Sequence, residues 1–308
     1  MLKIIILGSN GYVGRHVVHV LHEKTNAKLF LFDVHQTSFT YRSEYRQLDL
    51  TNELNEDVKQ CFASADFIYM FSGLTGTHVS VEEYKTFVEV NELGLLKILD
   101  CLKKSAGSKA KIIFPSTRLV YKGIKNTPIK EEDEKEFKTI YAINKYACEQ
   151  YLEIYRNLYG IKYSVFRICV PYGNLLSKDL SYGTLSHFIN KAKSGDDITL
   201  FGDGQLKRTF THIEDVAEIV AIYGMDNRMN NQIINIGSND NMSLLEVANS
   251  IADIYKVKVK FTEFPPHDLA IESGDTIFDD TRFLQATGYN YKNLFNQWVS
   301  NILKNNTV

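Results

Sequence analysis

Lys3-Ile4-Ile5-Ile6-Leu7-Gly8-Ser9-Asn10-Gly11-Tyr12-Val13-Gly14-Arg15-His16-Val17-Val18 is the stretch that decides the fold of this 308-residue chain. A short, unbroken apolar run bounded by glycine reads as a strand buried on both faces. Three glycines then turn the chain into a segment, 12–22, whose apolar residues recur at helical spacing. Working outward, apolar runs at Leu2–Leu7, Lys28–Phe32, Arg46–Asp49, Phe67–Phe71, Lys111–Phe114 and Tyr163–Ile168 read as further strands. Between them lie helical patterns near 12–22, 54–62, 81–104 and 139–159. Strands alternating with helices predict a parallel sheet, covered on both faces and joined by right-handed crossovers. The expected class is therefore α/β with a doubly wound parallel sheet.

After residue 170 the pattern loosens. Pro171, Tyr172, Gly173 and Asn174 open a loop, helices are expected near 184–194 and 243–255, and short strands near 198–201 and 258–263. This part reads as a smaller C-terminal α/β domain. The stretch 208–237 again has strand and helix character and is assigned back to the first domain. The expected division is 1–169 with about 208–237, and about 170–207 with 238–308.

Composition narrows the function. The chain is 44% hydrophobic and 23% charged, with a formal net charge of -2, as in an ordinary globular protein. No basic field exists to select nucleic acid or an anionic membrane. Cys61, Cys101, Cys148 and Cys169 are scattered without a CxxC pair, which argues against a zinc knuckle or a disulfide framework and for reduced cytoplasmic thiols. No metal site is expected. The Ile4–Leu7 run is too short for a secretion signal, and nowhere do about 18 apolar residues run together, so neither export nor a membrane span is expected.

Gly8, Gly11 and Gly14 form GxxGxxG at a strand-to-helix junction, where glycine permits a tight turn and close approach of a pyrophosphate to backbone amides at the helix N-terminus. Asp33 ends the second strand, 19 residues beyond Gly14. A carboxylate there accepts from adenosine ribose hydroxyls and repels a 2′-phosphate, favouring NAD over NADP. Asp49 is a second strand-end acid, placed to meet the adenine. Downstream, Tyr141 and Lys145 in Thr139-Ile140-Tyr141-Ala142-Ile143-Asn144-Lys145 share one helix face at i and i+4. The ammonium favours the phenolate and depresses a pKa ordinarily about 10, so the phenol can serve as general base.

These residues resemble the extended short-chain dehydrogenase/reductase family, the NAD-dependent epimerase/dehydratases of nucleotide sugars, with a Rossmann domain and a substrate domain. The UDP-glucose 4-epimerase group is the nearest in pattern. Beyond GxxGxxG and YxxxK, the likeness rests on Asn91 in Val90-Asn91-Glu92-Leu93-Gly94, on the segment from Phe114 to Tyr121, and on that from Phe201 to Val216. The resemblance implies that Tyr12, Val13, Asp33, Asp49, Leu50, Phe71, Ser72, Gly73, Leu74, Asn91, Tyr141, Lys145 and Cys169 line an NAD site. It places the family's Ser or Thr, three residues before the valine of Val120-Tyr121, on Thr117, which would bridge a substrate oxygen and Tyr141. Ser116 is the neighbouring candidate, but strand alternation points it to the other face.

The resemblance also narrows the reaction. Family dehydratases follow this threonine with an acid and a glutamate, and the fucose-synthase type has a cysteine at the second position. Here Arg118 and Leu119 stand instead, and leucine cannot move a proton. What remains is hydride chemistry at a secondary alcohol. The leading expectation is NAD-dependent epimerisation of a nucleotide-diphosphate sugar, at C4, by oxidation and return of the hydride. The alternatives are a 4-ketoreductase or dehydrogenase with the same Thr, Tyr and Lys, and, from another class, a non-catalytic NAD-binding regulatory protein.

For the substrate, the resemblance places Arg208 on the diphosphate and Leu200 and Phe201 against the nucleobase. Two departures stand out: Val170 replaces an Asn three residues past Arg167, and Glu272 stands where relatives carry Arg before Pro-Gly-Asp. Either Lys178, Lys191 or Lys207 would compensate, or Glu272 faces a substrate amino group or bulk water. His187, His212 and His267 are read as surface, turn or packing residues. Helices 81–104 and 139–159 match those that form a dimeric four-helix bundle in the family, and Tyr151, Tyr155 and Tyr159 recur every four residues, so a homodimer is expected, with sheet packing as the other reading of the tyrosine stripe.

Overall fold

The computed structural model describes residues 1–41, 44–105, 107–174, 176 and 182–305. They form two compact units: 1–120, 139–167 and 217–234 make the first, and 121–138, 168–216 and 235–308 the second.

The first unit is built on a seven-stranded sheet. Its strands are β1 (Lys3–Leu7), β2 (Lys28–Asp33), β3 (Tyr45–Gln47), β4 (Phe67–Met70), β5 (Lys111–Thr117), β6 (Tyr163–Ile168) and β7 (Gln232–Ile236), in the order β7-β6-β5-β4-β1-β2-β3. β1 runs parallel to β2, with Ile5 opposite Phe30, and to β4, with Ile5 opposite Ile68. β2 and β3 are parallel, as are β4 and β5. Ile4, Ile5, Ile6, Ile68, Tyr69, Ile112 and Val165 are buried because helices cover both faces of the sheet. The doubly wound α/β expectation holds.

The helices are α1 (Tyr12–Lys24), α2 (Glu56–Ala63), α3 (84–104) and α4 (Ile140–Tyr159). α3 runs through Tyr84–Val88, a wider π turn at Glu89–Leu93, and Gly94–Lys104. α4 starts where the Thr139 side chain accepts from Ala142 N, and stops at Gly160, whose φ of 70° is a left-handed terminator. Strand order reverses about β1, since β2 lies on one side and β4 on the other. The crevice at the carboxyl ends of β1 and β4 is thus the topological switch point, where open α/β sheets bind ligands.

The second unit holds a three-stranded sheet in the order Asp240–Ser243, Lys207–His212, Val170–Tyr172, and parallel pairs Ile198–Phe201 with Val259–Thr262 and Pro128–Ile129 with Ile277–Phe278. Helices Gly183–Lys193 and Leu244–Tyr255 pack against Tyr172, Phe210 and Phe295 in its core. The Leu244–Tyr255 helix opens on a reciprocal capping box between Ser243 and Glu246. These units differ from the sequence-based boundaries mainly at 121–138 and 208–216, and by two or three residues at 168–169 and 235–237. Strand Pro128–Ile129 pairs with Ile277–Phe278, and Lys207–His212 with two strands of its own unit, so backbone hydrogen bonds hold both segments there. Among the described residues no helix is long and apolar enough to cross a membrane, and no cluster of side chains has the makings of a metal site.

Candidate active site

The glycines of the first turn are fixed by space. Gly8 has φ +74°, and a Cβ there would lie 2.4 Å from Ser72 N; one on Gly14 would lie 2.2 Å from Gly8 O. A side chain at either position would push β1, the first turn of α1 or the loop after β4 apart. Gly8 N and Ser9 N both donate to Phe32 O, tying this turn to the end of β2. Gly11 caps α1 without a side chain, so the first-turn amides around Tyr12 and Val13 receive no side-chain acceptor from it. The positive end of the α1 dipole at this turn suits an anion.

Asp33 closes β2 beside this turn. Its Oδ2 accepts from Asn10 N at 2.9 Å, and its Oδ1 lies 2.7 Å from His35 Nδ1. A carboxylate only accepts, so Nδ1 of His35 carries the proton. Asn10 also accepts from Phe39 N and donates to Thr37 O, which pins the loop after β2. Sequence reasoning missed Asn10 and His35; the only signal for His35 was its place two residues past Asp33.

The loop after β4 supplies the next wall. Asn91 Oδ1 accepts from Leu74 N at 2.7 Å and its Nδ2 donates to Leu74 O at 3.1 Å, a two-point grip on the 71–74 backbone. Asn91 sits in the π turn of α3, a distortion frequent at functional sites. A Cβ on Gly73 would stand 3.1 Å from Asn91 Oδ1 and 4.0 Å from Lys145 Nζ, so Gly73, Asn91 and Lys145 converge. Lys145 Nζ donates to Pro115 O at 2.8 Å and lies 4.4 Å from the centre of the Phe114 ring. Burial pushes its ammonium down to about 8 from 10.5, with the Cys148 thiol and the Glu149 carboxylate opposing the fall.

Tyr141 lies one helical turn before Lys145 on α4. Thr117 is buried as the last residue of β5, three residues beyond the predicted strand end, and its hydroxyl accepts from Leu119 N at 3.3 Å. α4 packs beside β5 and the turn at Arg118–Val120. Ser116 does point away from Thr117, into the interior, where it donates to Glu149. The structure thus joins Asp33, Gly8, Gly14, Phe71, Ser72, Gly73, Leu74, Asn91, Lys145 and Thr117 along the carboxyl edge of one sheet.

Other expected positions are engaged locally. Asp49 lies past β3, which ends at Gln47, and its Oδ1 accepts from Thr51 N and Oγ1 in a turn rather than closing a strand. Leu50 is buried, and Lys97 Nζ donates to the carbonyls of Leu50, Thr51 and Asn52, a further anchor that the sequence did not reveal. Tyr151 and Tyr155 pack on the core of the first unit, with Tyr151 donating to Glu92, whereas Tyr159 is exposed. Beside Tyr159, the exposed apolar residues of α4 are Ile143, Ile154 and Leu158.

In the second unit, Cys169 is buried, with its Sγ 3.3 Å from Thr276 O. Leu200 belongs to the core of that unit, while Phe201 is exposed and packs on Phe264. Arg208 is buried: its guanidinium donates to Lys207 O, to Gly274 O and, at 2.5 Å, to Glu272 Oε1. Glu272 Oε1 also accepts from Gly274 N. The residue that departs from the family pattern is therefore the partner of the arginine that follows it. Val170 pairs with Phe210 in its sheet. Lys191 and Lys207 are half-buried, and Lys178 lies outside the described residues. His212 is buried edge-on to Tyr172, and His187 and His267 are exposed.

Comparison with known proteins agrees with this architecture. A sequence model of the NAD dependent epimerase/dehydratase family matches residues 4–237. A UDP-N-acetyl-alpha-D-glucosaminuronate decarboxylase of Bacillus cytotoxicus is 29% identical over 279 residues, 85% of this chain and 83% of that protein. A putative UDP-glucose 4-epimerase of Methanocaldococcus jannaschii is 26% identical over 285 residues, 91% and 86% of the two chains. Among solved structures, a UDP-glucose 4-epimerase of Thermotoga maritima with UDP-glucose superposes with a TM-score of 0.86 at 22% identity, covering 98% of each chain, which shows a shared fold.

Proposed function

The chain belongs to the NAD-dependent epimerase/dehydratase family, and from that premise we propose that it is an NAD-dependent epimerase of a nucleotide-diphosphate sugar, acting at a carbinol carbon, C4. One observation carries the reading: a glycine cradle, a ribose-type carboxylate and a buried lysine lie along the carboxyl edge of one sheet, while positions 118 and 119 offer no acid for elimination and no thiol for proton exchange at carbon.

The residues fit the cofactor. A Cβ would fill the space that Gly8 and Gly14 keep clear, Asp33 retains acceptor capacity for a ribose, and the first-turn amides of α1 suit a pyrophosphate. Gly8, Gly11, Tyr12, Val13, Gly14, Asp33, Asp49, Leu50, Phe71 to Leu74, Asn91, Tyr141, Lys145 and Cys169 would hold it. NAD, when bound, supplies a reversible store for the hydride. Tyr141 takes the proton from the sugar hydroxyl and later gives it back. Lys145 favours the phenolate through its charge, and Thr117 donates to the sugar oxygen and relays its proton. Because each proton and hydride returns, no net oxidation results.

The second unit then serves as the nucleotide-sugar domain, with Arg208 toward the diphosphate and Leu200 and Phe201 toward the base. The apolar residues Tyr84 and Leu93 on α3 and Ile143, Ile154 and Leu158 on α4 support a homodimer through these helices. The site of action is the cytoplasm, in keeping with four free cysteines.

The test is incubation with UDP-, dTDP-, GDP- and CDP-sugars. Isomer formation with unchanged nicotinamide absorbance supports epimerisation, and Tyr141→Phe is expected to abolish it while cofactor binding persists. Steady oxidation or reduction of added cofactor would establish the reductase or dehydrogenase alternative instead.

A further inference from the structure

We propose that Glu149 is a positioning residue for the reaction: with Ser116 and Arg167 it forms a buried clamp that fixes the end of β5 against α4 and so sets Thr117 relative to Tyr141 and Lys145. The inference rests on the catalytic reading above. Glu149 is 0% exposed, Arg167 2% and Ser116 5%. Ser116 Oγ donates to Glu149 Oε1 at 2.5 Å, and Arg167 donates from Nε to Oε1 at 3.0 Å and from Nη2 to Oε2 at 2.5 Å. A carboxylate with no exposed surface cannot touch substrate, so its effect must pass through the groups it holds.

Those groups are the decisive ones. Glu149 lies one helical turn past Lys145 on α4, and the two side chains grip consecutive residues of β5: Lys145 holds Pro115 O and Glu149 holds the Ser116 hydroxyl. The next residue is Thr117. Two anchors from one helix to two adjacent strand residues fix spacing and twist together, where a single anchor would leave the strand end free to pivot. Stability alone does not explain the clamp, because a desolvated ion pair is often no more stabilising than apolar residues of the same volume. Geometry does explain it, since an active site misplaced by about 1 Å loses on the order of a hundredfold in rate. Glu149 also opposes the effect of burial on Lys145, in the direction that keeps the ammonium charged.

Ser116→Ala is the variant of choice, since it cuts the strand from the clamp but leaves the Arg167–Glu149 pair intact. Glu149→Gln would remove the negative charge beside the buried guanidinium and threatens folding. In the NAD-loaded protein, Ser116→Ala is expected to lower kcat by about tenfold to a hundredfold with KM for the sugar nucleotide within about twofold. Amide exchange in the peptide spanning 113–120 should quicken, while exchange in β1 and β2 stays as in the wild type. Unchanged kcat, whatever the exchange shows, would overturn the positioning role, and unchanged exchange would overturn the clamp. If the wild type turned over no nucleotide sugar, the epimerase reading would fall separately, and the clamp would stand or fall on the exchange measurement.

Discussion

Lys145→Met is expected to make the nucleotide-free protein more stable near neutral pH while destroying its activity, and to do so with a defined pH dependence. Burial lowers the Lys145 pKa from 10.5 to about 8. Between these values the unfolded chain binds more protons than the folded one, so stability rises with pH across the window and the penalty is full below about pH 8. A shift of this size corresponds to about 3 kcal/mol at neutral pH, at 1.36 kcal/mol per unit. Methionine fills similar volume without a charge. It forfeits the hydrogen bond to Pro115 O, a loss of about 1–2 kcal/mol when the acceptor stays buried. The net gain at about pH 7 is therefore on the order of 1–2 kcal/mol. The assay is chemical denaturation of wild type and variant across the pH range. Wild type should gain about 2 kcal/mol on the variant between about pH 7 and 9.5, because only wild type carries the titrating amine. A stability difference that stays flat across this range would refute the reasoning, since it would mean that the ammonium is not desolvated in the folded state.

Three further expectations follow from contacts described above. Gly14→Ala places a Cβ 2.2 Å from Gly8 O, so NAD affinity measured by calorimetry should fall by at least about a hundredfold, the effect of displacing the backbone that receives the pyrophosphate. Asn91→Ala removes both bonds to the Leu74 backbone, at a cost of about 2–3 kcal/mol to the loop; faster amide exchange at 72–75 and NAD binding about tenfold weaker are expected, and unchanged exchange would show that the grip is dispensable. Glu272→Gln weakens the hold on Arg208, so UDP should bind roughly fivefold more tightly, about 1 kcal/mol, with a steeper salt dependence; affinity equal to wild type would show that Arg208 does not meet the diphosphate.

The sheet was legible because its signals are local. The run Ile4–Leu7, the glycines after it and the recurring apolar stretches required only strand and helix periodicity to predict a doubly wound sheet, and the observed strand order agrees. The glycine requirement at 14 was equally readable, since a Cβ there meets Gly8 O within the same turn, whereas the one at 8 is also set by Phe71 and Ser72, which only the fold brings beside it. Ends of elements were harder. β5 runs on to Thr117 through Pro115, and β3 ends before Asp49, because pairing with neighbouring strands, not local composition, decides where a strand stops. The tyrosine stripe on α4 shows a similar limit: a period of four places Tyr151, Tyr155 and Tyr159 near one face, but the core drawn over that face partly buries two of them and leaves the third exposed.

By itself the sequence determined the class of sheet, the phosphate-type turn and the Tyr141–Lys145 spacing, because each depends on residues that are neighbours along the chain or along one helix. Only the tertiary structure decided which polar groups meet. Ser116 finds Glu149 across 33 residues, and Arg208 finds Glu272 across 64. Glu149 carried no signal of its own in the sequence, and nothing along the chain marked Arg167 as its partner. The physical reason is that a crossover places a side chain by the packing of a whole helix on a sheet, and a buried charge then takes whichever complementary group that packing brings within hydrogen-bond reach.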